Sequence, residues 1–261
     1  MTTGHHAIDI NADCAERPGP AGIAADTRLM PFLTSVNISC GAHAGDDQTI
    51  RGVLQAAHAH RLSIGAHPSY PDPANFGRVS MPMAAAALQE SITAQLRLLR
   101  ALAGESGTDI THVKPHGALY HDITVKEEVA TIFINAVRAI WLSTPLPFLV
   151  TLAGSRRLHQ WRAQGFAVAA EAYCERRYQP DATLVPRSQP HALIHDPDEA
   201  ARQAVDIAVH RCVSTGDRLT PVRADTICIH SDSPNAQAIA EHVHTAIQRE
   251  LIPLRGLGQV V

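Results

Sequence analysis

The stretch Ala7-Ile8-Asp9-Ile10-Asn11-Ala12-Asp13-Cys14-Ala15-Glu16 sets the reading of the whole chain. Its apolar run, 7–12, predicts a strand that closes on Asn11 and Asp13 with Glu16 just behind. Side chains two residues apart on a strand share a face, so Asn11 and Asp13 aim the same way. The pattern recurs. A strand at 35–40 runs into Gly41-Ala42-His43-Ala44-Gly45-Asp46, one at 63–66 into His67-Pro68, and one at 111–114 into Pro115-His116-Gly117. A fifth strand lies at 148–152. A sixth, 167–170, precedes Glu171, and a seventh, 226–229, precedes His230-Ser231-Asp232. Ionisable residues therefore follow six of the seven strands, and the N-terminal approaches hold no comparable set.

Helical periodicity fills the gaps at about 48–60, 83–103, 125–141, 155–164, 197–213 and 234–251. Asp196-Pro197 and Ser233-Pro234 read as a capping side chain followed by proline in the first turn. Gly104 and Gly165 mark expected helix ends. Strand–helix alternation predicts a parallel sheet. An open sheet would spread the ionisable strand ends along an edge, whereas a barrel gathers them on one rim. The expectation is an α/β fold, a seven-stranded parallel TIM-like β/α barrel, with 1–261 as a single domain. Two long connections, 68–82 and 172–196, are the length at which loops carry function.

Composition excludes other classes. Of 261 residues, 45% are hydrophobic and 18% charged, the mix of a globular protein. Basic residues number 22 against 25 acidic ones, so no basic excess is available for nucleic-acid binding. The opening MTTGHHAIDI lacks a basic segment followed by an apolar run, and no stretch is apolar enough to span a bilayer. Cys14, Cys40, Cys174, Cys212 and Cys228 are odd in number and form no CxxC pair, which reads as reduced thiols. A cytoplasmic location is expected.

Sixteen histidines are an unusual supply, and only Lys114 and Lys126 among the basic residues are lysines. A lone histidine usually packs, but His43, His67, His116 and His230 at four strand ends form a set suited to a divalent metal, to proton transfer, or to both. Asp13 could cap a helix, yet its alternation with Asn11 points it into a barrel mouth. Lys114 could pair with an acid. Arg78 and Arg187, in the two long loops, are either solvated or clamp a carboxylate or phosphate. No GxGxxG, GxxxxGK[ST], GxSxG or HExxH occurs, so the standard dinucleotide, P-loop, serine-hydrolase and zinc-protease sites are not expected.

Several blocks are long enough to carry a family resemblance. Asp9-Ile10-Asn11-Ala12-Asp13 resembles the opening block of the LamB/YcsF family, that of the A subunit of bacterial 5-oxoprolinase. Leu29-Met30-Pro31 with Asn37-Ile38-Ser39-Cys40-Gly41-Ala42-His43-Ala44-Gly45-Asp46, Ile64-Gly65-Ala66-His67-Pro68 and Phe76-Gly77-Arg78 are similar to its next blocks. Val113-Lys114-Pro115-His116-Gly117-Ala118-Leu119-Tyr120, Leu184-Val185-Pro186-Arg187 and Cys228-Ile229-His230-Ser231-Asp232 resemble later ones. The resemblance implies a barrel related to glycoside hydrolases and polysaccharide deacetylases. It also implies ATP-dependent opening of 5-oxo-L-proline to L-glutamate with separate B and C subunits. ATP is then a co-substrate of the complex, with a divalent metal ion and a homo-oligomer left open. The expected roles are Asp13, Lys114, His116 and Asp232 in catalysis, with Asp13 or His116 as general base. Asn11, His43, His67, Arg78, Glu171, Arg187 and His230 would bind substrate, and Asp13, His43 and His67 a metal. Ala15, Ser69, Val79, Cys174-Glu175 and Ser231 depart from the family pattern beside these residues. The rivals are a stand-alone metal-dependent amidohydrolase or deacetylase, and a non-catalytic scaffold within the complex.

Overall fold

The computed structural model describes residues 7–142, 145–231, 233 and 235–259. Its strands are β1 (Asp9–Cys14), β2 (Ser35–Ser39), β3 (Ser63–His67), β4 (Ile110–Val113), β5 (Phe148–Leu152) and β6 (Val168–Tyr173). A small antiparallel hairpin, β7 (Cys212–Thr215) and β8 (Arg218–Pro221), precedes β9 (Thr226–Ile229). β1 to β6 pair in order, and β9 pairs in parallel with both β1 and β6. The sheet is a closed parallel barrel without a free edge, made of the seven strands expected from sequence.

The helices are α1 (Gly19–Leu29), α2 (Asp47–Ala59), α3 (Ala85–Glu105), α4 (Gly117–Val125), α5 (Glu127–Ile140), α6 (Arg157–Ala163), α7 (Pro197–Val205) and α8 (Ala236–Arg249). Asp196 caps α7 as expected, accepting from the Glu199 N–H at 2.8 Å, and Gly165 follows α6 with a φ of 88°. Elsewhere the expectations need correction. No helix was expected before 48, yet Pro18-Gly19-Pro20 opens α1, because a first-turn proline gives up an N–H that has no helical partner. The helix expected at 125–141 begins only after Lys126, whose extended backbone separates it from α4. Gly104 does not stop α3, which runs on to Glu105 before Gly107 turns left-handed. The stretch 197–213 is α-helical to Val205 and continues as one π-helical turn to His210, three residues short of the expected end. A wide turn at Asp206–His210 and a left-handed Arg211 deliver the β-branched Val213 and Thr215 into the hairpin. Pro234 lies outside the described residues.

Alternation along the strands divides apolar from polar. Ile10, Ala12, Val36, Ile38, Ile64, Ala66 and Val113 face outward and are buried in one core with Val53, Leu54, Leu96, Leu99, Phe133 and Val243 of the helices. The opposite faces fill the lumen with polar side chains. Asp9 accepts from Thr34 Oγ1 at 2.6 Å, Ser35 Oγ at 2.8 Å and the Thr226 hydroxyl. Burial pushes its carboxyl up to about 6, against those hydrogen bonds. One glycine is required by this arrangement. A Cβ on Gly65 would sit 2.1 Å from His112 Nε2, so only glycine lets the β4 imidazole cross the lumen.

Candidate active site

At the C-terminal end of the lumen the Lys114 ammonium lies 2.8 Å from Asp13 Oδ1, 2.9 Å from Glu171 Oε1 and 3.2 Å from Cys228 Sγ. Lys114 is 2% exposed and Glu171 fully enclosed. Burial opposes the lysine's charge, but Asp13, the Cys228 sulfur and Glu171 hold its pKa well above the usual range. Burial would likewise push the Asp13 carboxyl up. The charges of His67 and Lys114, with a hydrogen bond from His67, outweigh it and hold that carboxyl well below the usual range. Asp13 is thus an ionised carboxylate at the bottom of a hole.

A second chain of contacts fixes its orientation. Asn37 Nδ2 donates to Asp13 Oδ1 at 2.9 Å and to Asn11 Oδ1 at 2.8 Å, and His112 Nε2 lies 2.9 Å from Asn37 Oδ1. That Asn37 oxygen can only accept, so His112 carries its proton on Nε2. Burial, with the charges of Lys114 and His67, pushes the His112 imidazole down to about 3 and keeps it neutral.

Beside Asp13 two further imidazoles face each other. His67 Nδ1 lies 2.7 Å from the Lys114 carbonyl oxygen, and His116 Nε2 lies 2.9 Å from the Phe76 carbonyl oxygen. Carbonyls only accept, so both those nitrogens carry protons. The remaining nitrogens, His67 Nε2 and His116 Nδ1, are 2.9 Å apart. Two lone pairs cannot share that distance without a positive charge between them, either a proton or a metal cation. Two carboxylates lie alongside. Asp13 Oδ2 is 3.4 Å from His67 Nε2, and Glu16 Oε1 is 3.2 Å from His116 Nδ1. The ligand atoms of Asp13, Glu16, His67 and His116 all fall within 4.8 Å of one another. Backbone-tied imidazoles with two carboxylates are a donor set that fits a divalent ion. Burial would raise the Glu16 carboxyl, but hydrogen bonds from His116 and His43 hold it well below its ordinary range.

The metal set expected from sequence shares Asp13 and His67 with this cluster, while Glu16 and His116 stand where His43 was expected. His43 lies behind them, stacked on His116 at 3.9 Å between ring centroids with its Nε2 3.3 Å from Glu16. Burial, despite that hydrogen bond, pushes its imidazole down to about 4, and its Nδ1 is enclosed without a partner.

A cavity of about 1040 Å³ opens above the floor. Asp13, His67, Lys114, His116, Arg78, Arg187 and His230 all line it, so seven of the residues singled out by sequence share one space. Asn11 and Glu171 lie beneath, bonded to each other and to Lys114. His230 is stacked on Tyr173, and its Nδ1 and backbone N–H both meet Glu175 Oε1. Asp232 lies outside the described residues. Residues missed by the sequence reading are Asn37, His112, Tyr173 and Glu175, which sit within strands or in a loop. Asn37 and His112 share the inward face with the polar residues two places on, and Tyr173 shares it with Glu171, whereas Glu175, past the end of β6, carries no strand signal.

With this geometry in hand, residues 8–261 match the model of the LamB/YcsF family. The chain belongs to the LamB/YcsF family. It is 42% identical over 250 residues to the 5-oxoprolinase A subunit of Paracidovorax citrulli, covering 95% of this chain and 98% of that one. A crystal structure of a lactam utilization protein from Thermus thermophilus superposes with a TM-score of 0.87 at 35% identity, over 96% of this chain and 99% of that one. A family 4 carbohydrate esterase from Streptomyces lividans shares the barrel alone, with a TM-score of 0.50 at 11% identity over 99% and 95% of the two chains. Among the described residues no helix is long and apolar enough to cross a membrane.

Proposed function

We propose that this chain is the A subunit of an ATP-dependent 5-oxoprolinase, opening the lactam of 5-oxo-L-proline to L-glutamate together with B and C subunits. The observation that carries the reading is the floor itself. An ionised Asp13 is pinned by Lys114 beside the facing nitrogens of His67 and His116, at the base of a cavity open to small molecules. Relatives named as the A subunit of 5-oxoprolinase support the substrate class, and their name speaks for a multi-subunit complex.

Lactam hydrolysis needs a nucleophilic water, a proton acceptor for it, and a proton for the ring nitrogen as the C–N bond breaks. The amide is a poor electrophile, and phosphorylation of its carbonyl oxygen by ATP would supply a leaving group. Of the two bases left open by sequence, the geometry favours His116. His116 lines the cavity beside His67, whereas Asp13, held well below the usual carboxylate range, is a poor acceptor of a proton from water. Asp13 then orients the pair through His67 and stabilises the imidazolium that forms. Lys114 keeps Asp13 ionised, and Arg187 on the rim meets the substrate carboxylate. A divalent cation held by Asp13, Glu16, His67 and His116 would occupy the His116 Nδ1 lone pair, and would supply carbonyl polarisation and an activated water in place of that base.

The four-donor cluster also favours a second reading, a metal-dependent amidohydrolase that works alone. Reconstitution with B and C partners, assaying glutamate release with and without ATP and chelator, separates the two. Glutamate formation is expected only with ATP, falling on the order of 10²–10⁴-fold in Asp13→Asn. ATP-free hydrolysis by the chain alone, of 5-oxoproline or of acetylated sugars, would replace the first reading with the second.

A further inference from the structure

The outer half of the cavity carries charge that the floor does not use. Arg176 follows β6 and is 7% exposed. Its Nη2 donates to the Val185 carbonyl at 2.7 Å, and the Val185 N–H returns to the Arg177 carbonyl at 2.9 Å. These bonds, with the bridge between Tyr178 and Leu184, tie Leu184-Val185-Pro186-Arg187 to the cavity wall. The Nε of Arg176 is buried and without a partner. Burial, and then the neighbouring charge of Arg187, push the Arg176 guanidinium below its ordinary pKa.

No acid among the described residues forms an ion pair with either arginine. Asp181 Oδ1 accepts from the Thr183 N–H and hydroxyl, and Glu175 accepts from the His230 N–H. Two neighbouring guanidiniums, one of them nearly desolvated, are costly unless an anion joins them. A guanidinium presents a planar fork that matches carboxylate and phosphate oxygens. The cavity also has far more room than a single five-membered ring fills.

We propose that Arg176 and Arg187 form an oxyanion subsite at the rim. It takes the carboxylate or phosphoryl end of a small anionic ligand whose reacting carbonyl faces Asp13. The orientation rests on the lactam reading above, while the subsite rests on the arginine pair. The plainer possibility is that Arg176 only anchors the loop, and the test must separate the two.

Calorimetry on the full chain would use three probes: 5-oxoproline, 2-pyrrolidinone (the same ring without its carboxylate) and inorganic phosphate. The subsite predicts that 5-oxoproline binds at least tenfold more tightly than 2-pyrrolidinone. Arg187→Gln, an exposed side chain with no partner among the described residues, and Arg176→Lys each weaken 5-oxoproline at least tenfold and leave 2-pyrrolidinone unchanged. Phosphate that competes with 5-oxoproline and is lost in both variants extends the subsite to phosphoryl groups. Phosphate that fails to compete restricts it to carboxylates. Equal binding of lactam with and without its carboxylate, or affinities within twofold of wild type in Arg187→Gln, overturns the subsite. Turnover of 5-oxoproline by the reconstituted complex with unchanged KM in Arg187→Gln removes the subsite and spares the lactam reading. Arginine-dependent anion binding without 5-oxoproline turnover does the reverse.

Discussion

Lys114 is one of only two lysines in a chain that otherwise uses arginine, and the floor explains the exception. A compact ammonium fits between Asp13, Glu171 and Cys228, where a planar guanidinium would not. Lys114→Met leaves two enclosed carboxylates without their counter-ion, and removing one partner of a buried pair costs about 3–5 kcal/mol. Chemical denaturation at pH 7 should show that loss, and a change under 1 kcal/mol would contradict the pairing. Ala15 teaches a different lesson. It is among the residues read from sequence as departures from the family pattern, and the structure places it at φ 61°, a left-handed conformation that L-residues adopt at a cost of about 1–2 kcal/mol. Its N–H is fixed by Asp26 Oδ2 at 2.7 Å, so the turn is enforced. Ala15→Gly should therefore raise stability by about 0.5–1 kcal/mol, read as a higher denaturation midpoint with the same m-value. That same turn explains why Glu16 was only partly legible. It follows β1 and has no strand periodicity, and the left-handed step at Ala15 aims it back at His116.

At the scale of elements, the barrel strands were legible because six of the seven apolar runs end in a polar cluster. The elements that were missed lack such a boundary: α1 starts with prolines, α4 abuts α5, and the hairpin continues a helical pattern. Pairing between strands was not legible either, since His112 on β4 reaches Asn37 on β2 only across the space left by Gly65 on β3. This crossing has a pH signature. His112 is pushed down to about 3 in the fold, whereas an unfolded histidine takes its proton near 6.5. Because the folded pKa is the lower one, the stability it contributes is present above pH 6.5 and is lost as the pH falls. Between pH 6.5 and 5 the loss should reach about 2 kcal/mol. His112→Gln cannot take that proton, so its stability should fall less on acidification by about that amount, although it starts lower at pH 7. Parallel stability curves for the two proteins between pH 7 and 5 would show that His112 is not held neutral.

Over the whole molecule, charge is sorted along the barrel axis. Asp13, Glu16 and Glu171 supply negative charge at the floor, Lys114 neutralises part of it, and Arg78, Arg176 and Arg187 line the rim. Closure of the barrel made this sorting foreseeable from strand ends, but what occupies the floor depends on the facing nitrogens of His67 and His116. If a divalent ion supplies the positive charge between them, it binds the folded chain and not the unfolded one. A site at 100-fold its Kd then stabilises by about 2.7 kcal/mol, which raises the Tm of a chain this size by about 5–10 °C. Thermal melts after chelation and after adding back zinc, manganese or magnesium should show that rise for at least one ion. Glu16→Gln removes one carboxylate of the set without touching Lys114 or the lumen network, and it should abolish most of the shift. A chelated protein that melts at the same temperature under every ion would assign the charge to a shared proton. Proton transfer by His116 would then stand alone as the chemistry of the floor.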